Sequence, residues 1–121
     1  MTDRELLEKA AKAAGNGAVW VETAYEETFK VPYEARNSKG WNPWNPLTND
    51  GDALRLAVKL RLHVQIDSQE VCIANVLVFD EEGFETEPSE VLGDDPMAAT
   101  RRAITRAAAE IGRARDRGEM G

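Results

Sequence analysis

The stretch WNPWNPLTNDGDALRLAVKLRL, residues 41–62, joins a stiff tryptophan-bearing turn to the most apolar helical pattern in the chain. In Trp41-Asn42-Pro43-Trp44-Asn45-Pro46 each proline fixes its own φ and drives the preceding asparagine out of the helical region, so the hexapeptide is extended or turned. Thr48 or Asp50 is then expected to cap a helix, with Asp52 in the first turn, where negative charge is favoured. Arg55 and Lys59, four apart, continue one narrow polar stripe back to Asp52, while Ala53, Leu54, Leu56, Ala57, Val58 and Leu60 fill the rest of the circumference. That is the pattern of a helix buried on more than one side. At roughly 1.5–3 kcal/mol for each fully buried Leu or Val side chain, this helix is expected to anchor the core.

The flanking segments read as its packing partners. Thr2 with Glu5 resembles a capping box, Leu6, Leu7, Ala10, Ala13 and Ala14 recur at helical spacing, and Gly15-Asn16-Gly17 ends the run, which predicts a helix over 2–14. Val19-Trp20-Val21 and Phe29, Val31, Tyr33 alternate at period two, a hairpin whose second strand Pro32 makes short and places at an edge. Residues 37–40, Asn-Ser-Lys-Gly, read as a loop. Leu62, Val64 and Ile66 alternate with His63, Gln65 and Asp67, and VCIANVLVF (71–79) is apolar on both faces except at Asn75, so a half-buried strand reverses at Ser68-Gln69 into a central one. A short strand is expected around Phe84–Glu87. Asp95-Pro96 starts a last helix, with Met97, Thr100, Ile104, Ala107, Ala108, Ile111 and Ala114 on one face and Arg102, Arg106, Arg113 and Arg117 on another. The expected fold is α+β, one domain over 1–121: a small, mainly antiparallel four-stranded sheet layered with three helices in the order α-β-β-α-β-β-α.

The stretches NPLTNDGDALRLAVKLRL and DPMAATRRAITRAAAEIGRA, with TDRELLEKAAKAAG at the N-terminus, resemble the phage ABA sandwich domain family, small proteins of bacteriophages and prophages. The resemblance covers about half the chain and implies a layered α-β-α fold and a phage origin. It implies no catalytic residue. The doubled WNPWNP is longer than the single Trp-Asn-Pro of that family, so the path of this turn is its own.

The 121 residues are 42% apolar and 31% charged, an ordinary soluble composition, and no apolar run approaches the roughly 20 residues that a membrane-spanning helix needs. The charged segment MTDRELLEKA has no signal-peptide pattern and the lone Cys72 excludes an internal disulfide, so the expected location is the cytoplasm of a bacterial host. With 15 Lys and Arg against 22 Asp and Glu, the net charge of −7 disfavours general nucleic-acid binding, which depends on cations neutralising phosphates.

Charge is nonetheless uneven. Residues 80–95 carry eight carboxylates and no base, Glu81, Glu82, Glu85 and Glu87 among them, either a solvated loop or an acidic docking surface that imitates nucleic acid. The arginines of the last helix could meet phosphates. Six of the eight aromatic residues fall between Trp20 and Trp44, so Trp41 and Trp44 form either a lid on the core or an interaction surface. Arginine and tryptophan together are the composition of protein-interface hot spots, which makes Trp41, Trp44, Arg102, Arg106 and Arg113 the candidate partner-binding residues.

Catalytic signatures are weak. His63 and Cys72 could share a hairpin face with Gln65 nearby as a third group, but nothing supplies an oxyanion hole, and an alternating strand produces such neighbours by chance. Asp50-Gly51-Asp52 lacks the twelve-residue ligand pattern of a calcium loop, and no phosphate-binding glycine loop, GxSxG or HExxH occurs. The expectation is therefore a non-enzyme without cofactor or metal that binds a host or phage protein, or a second copy of itself; inhibition of a host defence or regulatory complex is one form. A nucleic-acid-binding regulator and a small Cys72/His63 enzyme are the alternatives.

Overall fold

A computed structural model describes residues 1–35, 38–66, 73–79, 85–86 and 88–116, with backbone alone for 34–35, 73–79 and 85–86. In chain order these form α1 (Asp3–Ala14), β1 (Val19–Glu22), β2 (Glu27–Ala35), β3 (Ser38–Trp44), α2 (Asp50–Leu60), β4 (His63–Ile66), β5 (Ile73–Phe79), β6 (Glu85–Thr86), β7 (Ser89–Val91) and α3 (Pro96–Asp116).

Local chemistry sets the helix ends. Thr2 caps α1 by accepting from the Glu5 amide, and Gly15 ends it in the left-handed region at φ 60°. Asp95 caps α3 by accepting from the Ala98 amide, ahead of Pro96. The cap of α2 is neither Thr48 nor Asp50 but Asn49, whose side-chain oxygen accepts from the Asp52 amide at 2.8 Å. Asp52 is engaged elsewhere: its carboxylate accepts from the Asn45 amide and from Arg55, stitching the buried Pro46 turn to the helix it precedes.

The expected single four-stranded sheet is not what the ladders form. β1-β2-β3 is an antiparallel meander of its own, and β4 pairs with β5, which pairs on its other side with β6 and β7. Ile73 opposite Val91 and Phe79 opposite Glu85 belong to the same register, so β6 and β7 are one strand interrupted around Pro88, which has no amide to donate. Of the segment read as a loop, 37–40, residues 38–40 are the start of β3 and Asn37 lies outside the described residues, while β2 is nine residues long and central. Pro32 is tolerated there because β1 stops at the Val19–Lys30 pair, leaving no ladder on that side of Pro32.

The helices join the two sheets. Phe29 and Trp44, cross-strand partners, share a buried cluster with Leu7, Ala10 and Leu56, while α3 packs on β5 and β7 and against both other helices. The anchor of the core is α3, not α2. Ala103, Ile104, Thr105, Ala107, Ala108, Ala109, Ile111, Gly112 and Ala114 are all buried, whereas Leu54 and Val58 of α2 are 64% and 68% exposed. Small side chains permit this. A methyl group on Gly112 would stand 2.0 Å from the Lys9 carbonyl oxygen, so α1 and α3 meet backbone to backbone. Arg102 pairs with Asp3 at one end and Lys9 and Lys12 with Asp116 at the other, which fixes the two helices in the same direction.

This last clamp titrates. The hydrogen bond from Lys9, then that from Lys12, holds Asp116 below its ordinary 3.8, and the bond to Asp116 raises Lys9 above its ordinary 10.5. A depressed carboxylate stabilises the fold fully above its unfolded pKa and loses that contribution as pH falls through the folded one; a raised lysine does so below its unfolded pKa and loses it as pH rises through the folded one. Asp116→Asn is therefore expected to melt below wild type across neutral pH, with the gap closing as pH drops past the acidic carboxylate range. A gap constant with pH in thermal melts would contradict the clamp.

Candidate functional site

The sequence-predicted binding residues fall into two separate places. On the β2–β3 ladder, Phe29–Trp44, Val31–Asn42 and Tyr33–Gly40 pair on one face and Pro32–Trp41 on the other. Trp44 is 6% exposed and Trp41 52%, so the doubled Trp-Asn-Pro is lid and surface at once: the odd spacing sends one indole inward and the other out. Pro32, Tyr33, Lys39, Gly40 and Trp41 line a shallow depression at this end of the hairpin. Tyr33 lies against the Gly40 backbone, where a Cβ would come within 2.7 Å of its ring, so glycine is what lets the ring lie down. Trp20, by contrast, is engaged, edge-on to Phe29 at 5.1 Å and under the Arg4 guanidinium at 4.4 Å.

The arginines of α3 are held by the chain's own acceptors. Arg106 donates to Glu90 and to the Ser89 carbonyl, which ties β7 to the helix, and Arg102 bridges Asp3 and Glu90. Arg101 donates to the Leu47 carbonyl and pairs with Asp50 at the start of α2. Arg113 pairs with Glu110 one turn back, and Arg115 donates to the Ala13 carbonyl at the end of α1. These side chains neutralise carboxylates and cap orphan carbonyls, which is structural work. Trp41 and the arginines are not brought together by any contact among the described residues.

Of the acidic segment, Glu85 lies in β6, and Glu81, Glu82 and Glu87 are outside the described residues; so is Cys72, the proposed partner of His63, which stands exposed at the start of β4. Among the described residues no group of three His, Cys, Asp or Glu is placed to hold a metal ion. No described helix is long and apolar enough to cross a membrane.

Two further features carry no sequence motif. An open cleft of about 700 Å³ lies between β2–β3 and α2, walled by Trp44 and Pro43 and rimmed by Asn42, Asp52, Arg55 and Lys59. An open apolar groove runs between α2, β4 and the start of α3, along Leu54, Ala57, Val64, Ile66, Met97 and Ile104. The exposed Leu54 and Val58 could have been suspected from the helix itself: apolar residues there span more of the circumference than one packing face uses. Comparison with protein-family models, with curated proteins and with solved structures finds no match to this chain.

The indoles differ enough to be told apart in solution. Acrylamide is expected to quench wild-type tryptophan fluorescence with a readily accessible component that disappears in Trp41→Phe and persists in Trp44→Phe. Loss of that component from Trp44→Phe alone would reverse the assignment.

Proposed function

We propose that this chain is a non-enzymatic phage or prophage accessory protein that works by binding another protein, with Trp41 and Pro32 as its contact face. The observation that carries the reading is the outward indole of Trp41. It has no hydrogen bond or ring partner among the described residues, and it sits on a ladder stiffened by Pro43 and Pro32. A large aromatic side chain already fixed in place loses little entropy on docking, and such residues dominate interface energetics. Trp44 contributes indirectly, as the buried side chain that anchors the same strand.

Protein binding is favoured over nucleic-acid binding by what the arginines touch. Phosphate contacts by Arg102, Arg106 or Arg113 would compete with Asp3, Glu90 and Glu110, on a chain whose net charge of −7 repels a polyanion. A narrower form of the proposal is inhibition of a host defence or regulatory complex, with the acidic residues of 80–95 entering a basic groove on that complex.

Capture from a bacterial host lysate on the tagged chain tests the reading. Wild type is expected to retain a protein that Trp41→Ala loses by about tenfold, whereas Arg113→Ala retains it. Equal retention by Trp41→Ala, or a steeply salt-dependent shift of a DNA fragment, would overturn it.

A further inference from the structure

We infer that a second copy of the chain docks on the open edge of β4, pairing β4 with its counterpart and covering the apolar groove beside α2. An open sheet edge is a row of unpaired backbone donors and acceptors, and folded proteins guard such edges with charges, prolines or interruptions. Among the described residues three of the free edges are guarded in this way: β1 carries Glu22, β3 carries Lys39 and Pro43, and β7 carries Glu90 and follows Pro88. β4 is His63-Val64-Gln65-Ile66, with no acid, lysine, arginine or proline, and among the described residues it pairs only with β5.

The surface next to this edge is also unfinished. Val64 and Ile66 line a groove of about 340 Å³ with Leu54, Ala57, Met97 and Ile104, and Ile66 and Met97 are more than half exposed. A helix is about 10 Å across and strands stand about 4.8 Å apart, so α2 and α3 together span more width than the three-strand-wide sheet offers beneath them. The flank of α2 bearing Leu54 and Val58 is the part left over. One more strand beyond β4 would lie under it.

A second copy fits better than an unrelated partner because of charge and symmetry. Each copy carries −7, so most of the surface repels its own kind. This patch does not: among the described residues its one rim carboxylate, Asp50, is already paired with Arg101, and Arg55 and Lys59 lie on the opposite flank, at the cleft beside Trp44. Antiparallel pairing about a twofold axis at Gln65 sets Val64 of one copy opposite Ile66 of the other. All four of those side chains then face the helices, and the Leu54–Val58 flanks of the two α2 helices meet. The interface is independent of the Trp41 face.

Sedimentation equilibrium on the full chain tests the inference. Wild type is expected to approach twice 13.4 kDa with rising concentration, with slower amide exchange at 63–66 in the dimer than on dilution. Val58→Glu and Ile66→Lys, both at positions exposed in the monomer, are expected to raise the dimer dissociation constant about tenfold or more while leaving the far-ultraviolet spectrum unchanged. Trp41→Ala is expected to leave it unmoved. A chain that stays monomeric up to its solubility limit, or a dimer that both charged variants leave intact, would overturn the inference.

Discussion

Two helices far apart in the sequence, α1 and α3, run in the same direction and touch at Gly112 and Lys9 with no side chain between them. Such an approach is possible only where the residues are small, and it determines much else. Alanine buries little area, so the helix pair gains its stability from the number of close contacts and from the side chains at its margins, not from any single large residue. Arg102–Asp3, Arg115 to the Ala13 carbonyl and the Lys9–Asp116–Lys12 clamp all span this same seam. Of the arginines that give the last helix its basic appearance, Arg101, Arg102, Arg106 and Arg115 hold the seam, β7 and the start of α2 in place, and Arg113 pairs within the helix.

With α3 at the centre, the remaining elements are distributed around it. β5 and β7 lie against it, α1 and α2 flank it, and the β1–β3 meander reaches the common core through Phe29 and Trp44. Among the described residues the distribution leaves two surfaces without an internal partner. One is the outer face of the meander, where the spacing of the tryptophans turns Trp41 away from the core. The other is the far flank of α2, where the sheet is too narrow to cover both helices. The first is proposed to receive another protein and the second a copy of the chain; both follow from geometry that a tighter core would have removed.

How much of this was legible in the sequence depended on range. The ends of α1 and the start of α3 were, because Thr2, Gly15 and Asp95-Pro96 act within one turn of their own backbone, while the cap of α2 was placed one residue to either side of Asn49. Strands at 19–22 and 63–66 were, because alternation is local, and 73–79 was, as an apolar run of strand length. The strand at 38–44 was hidden by Gly40 and Pro43, residues that normally mark loops, one of them serving here as a seat for Tyr33. Division of the strands into two sheets depends on non-local pairing that alternation does not encode. The weight given to α2 over α3 had a physical cause as well: hydrophobicity favours leucine-rich helices, while close packing favours alanine and glycine, and here close packing prevailed. For the candidate site, Trp41 was visible as an aromatic in an aromatic-rich stretch, but Arg102 and Arg106 looked free because their carboxylates on α1 and β7 are distant in sequence, while the local Glu110 partner of Arg113 was passed over.

The seam itself can be tested by denaturant unfolding of Gly112→Ala. At an ordinary helical position this change stabilises a protein by about 1 kcal/mol, because alanine is the better helix former. Here the added methyl must displace a backbone carbonyl, and the expected result is a loss of about 1–3 kcal/mol or more, the cost of overpacking a close contact. A variant as stable as wild type, or more stable, would contradict the account that places the α1–α3 contact at the centre of the fold.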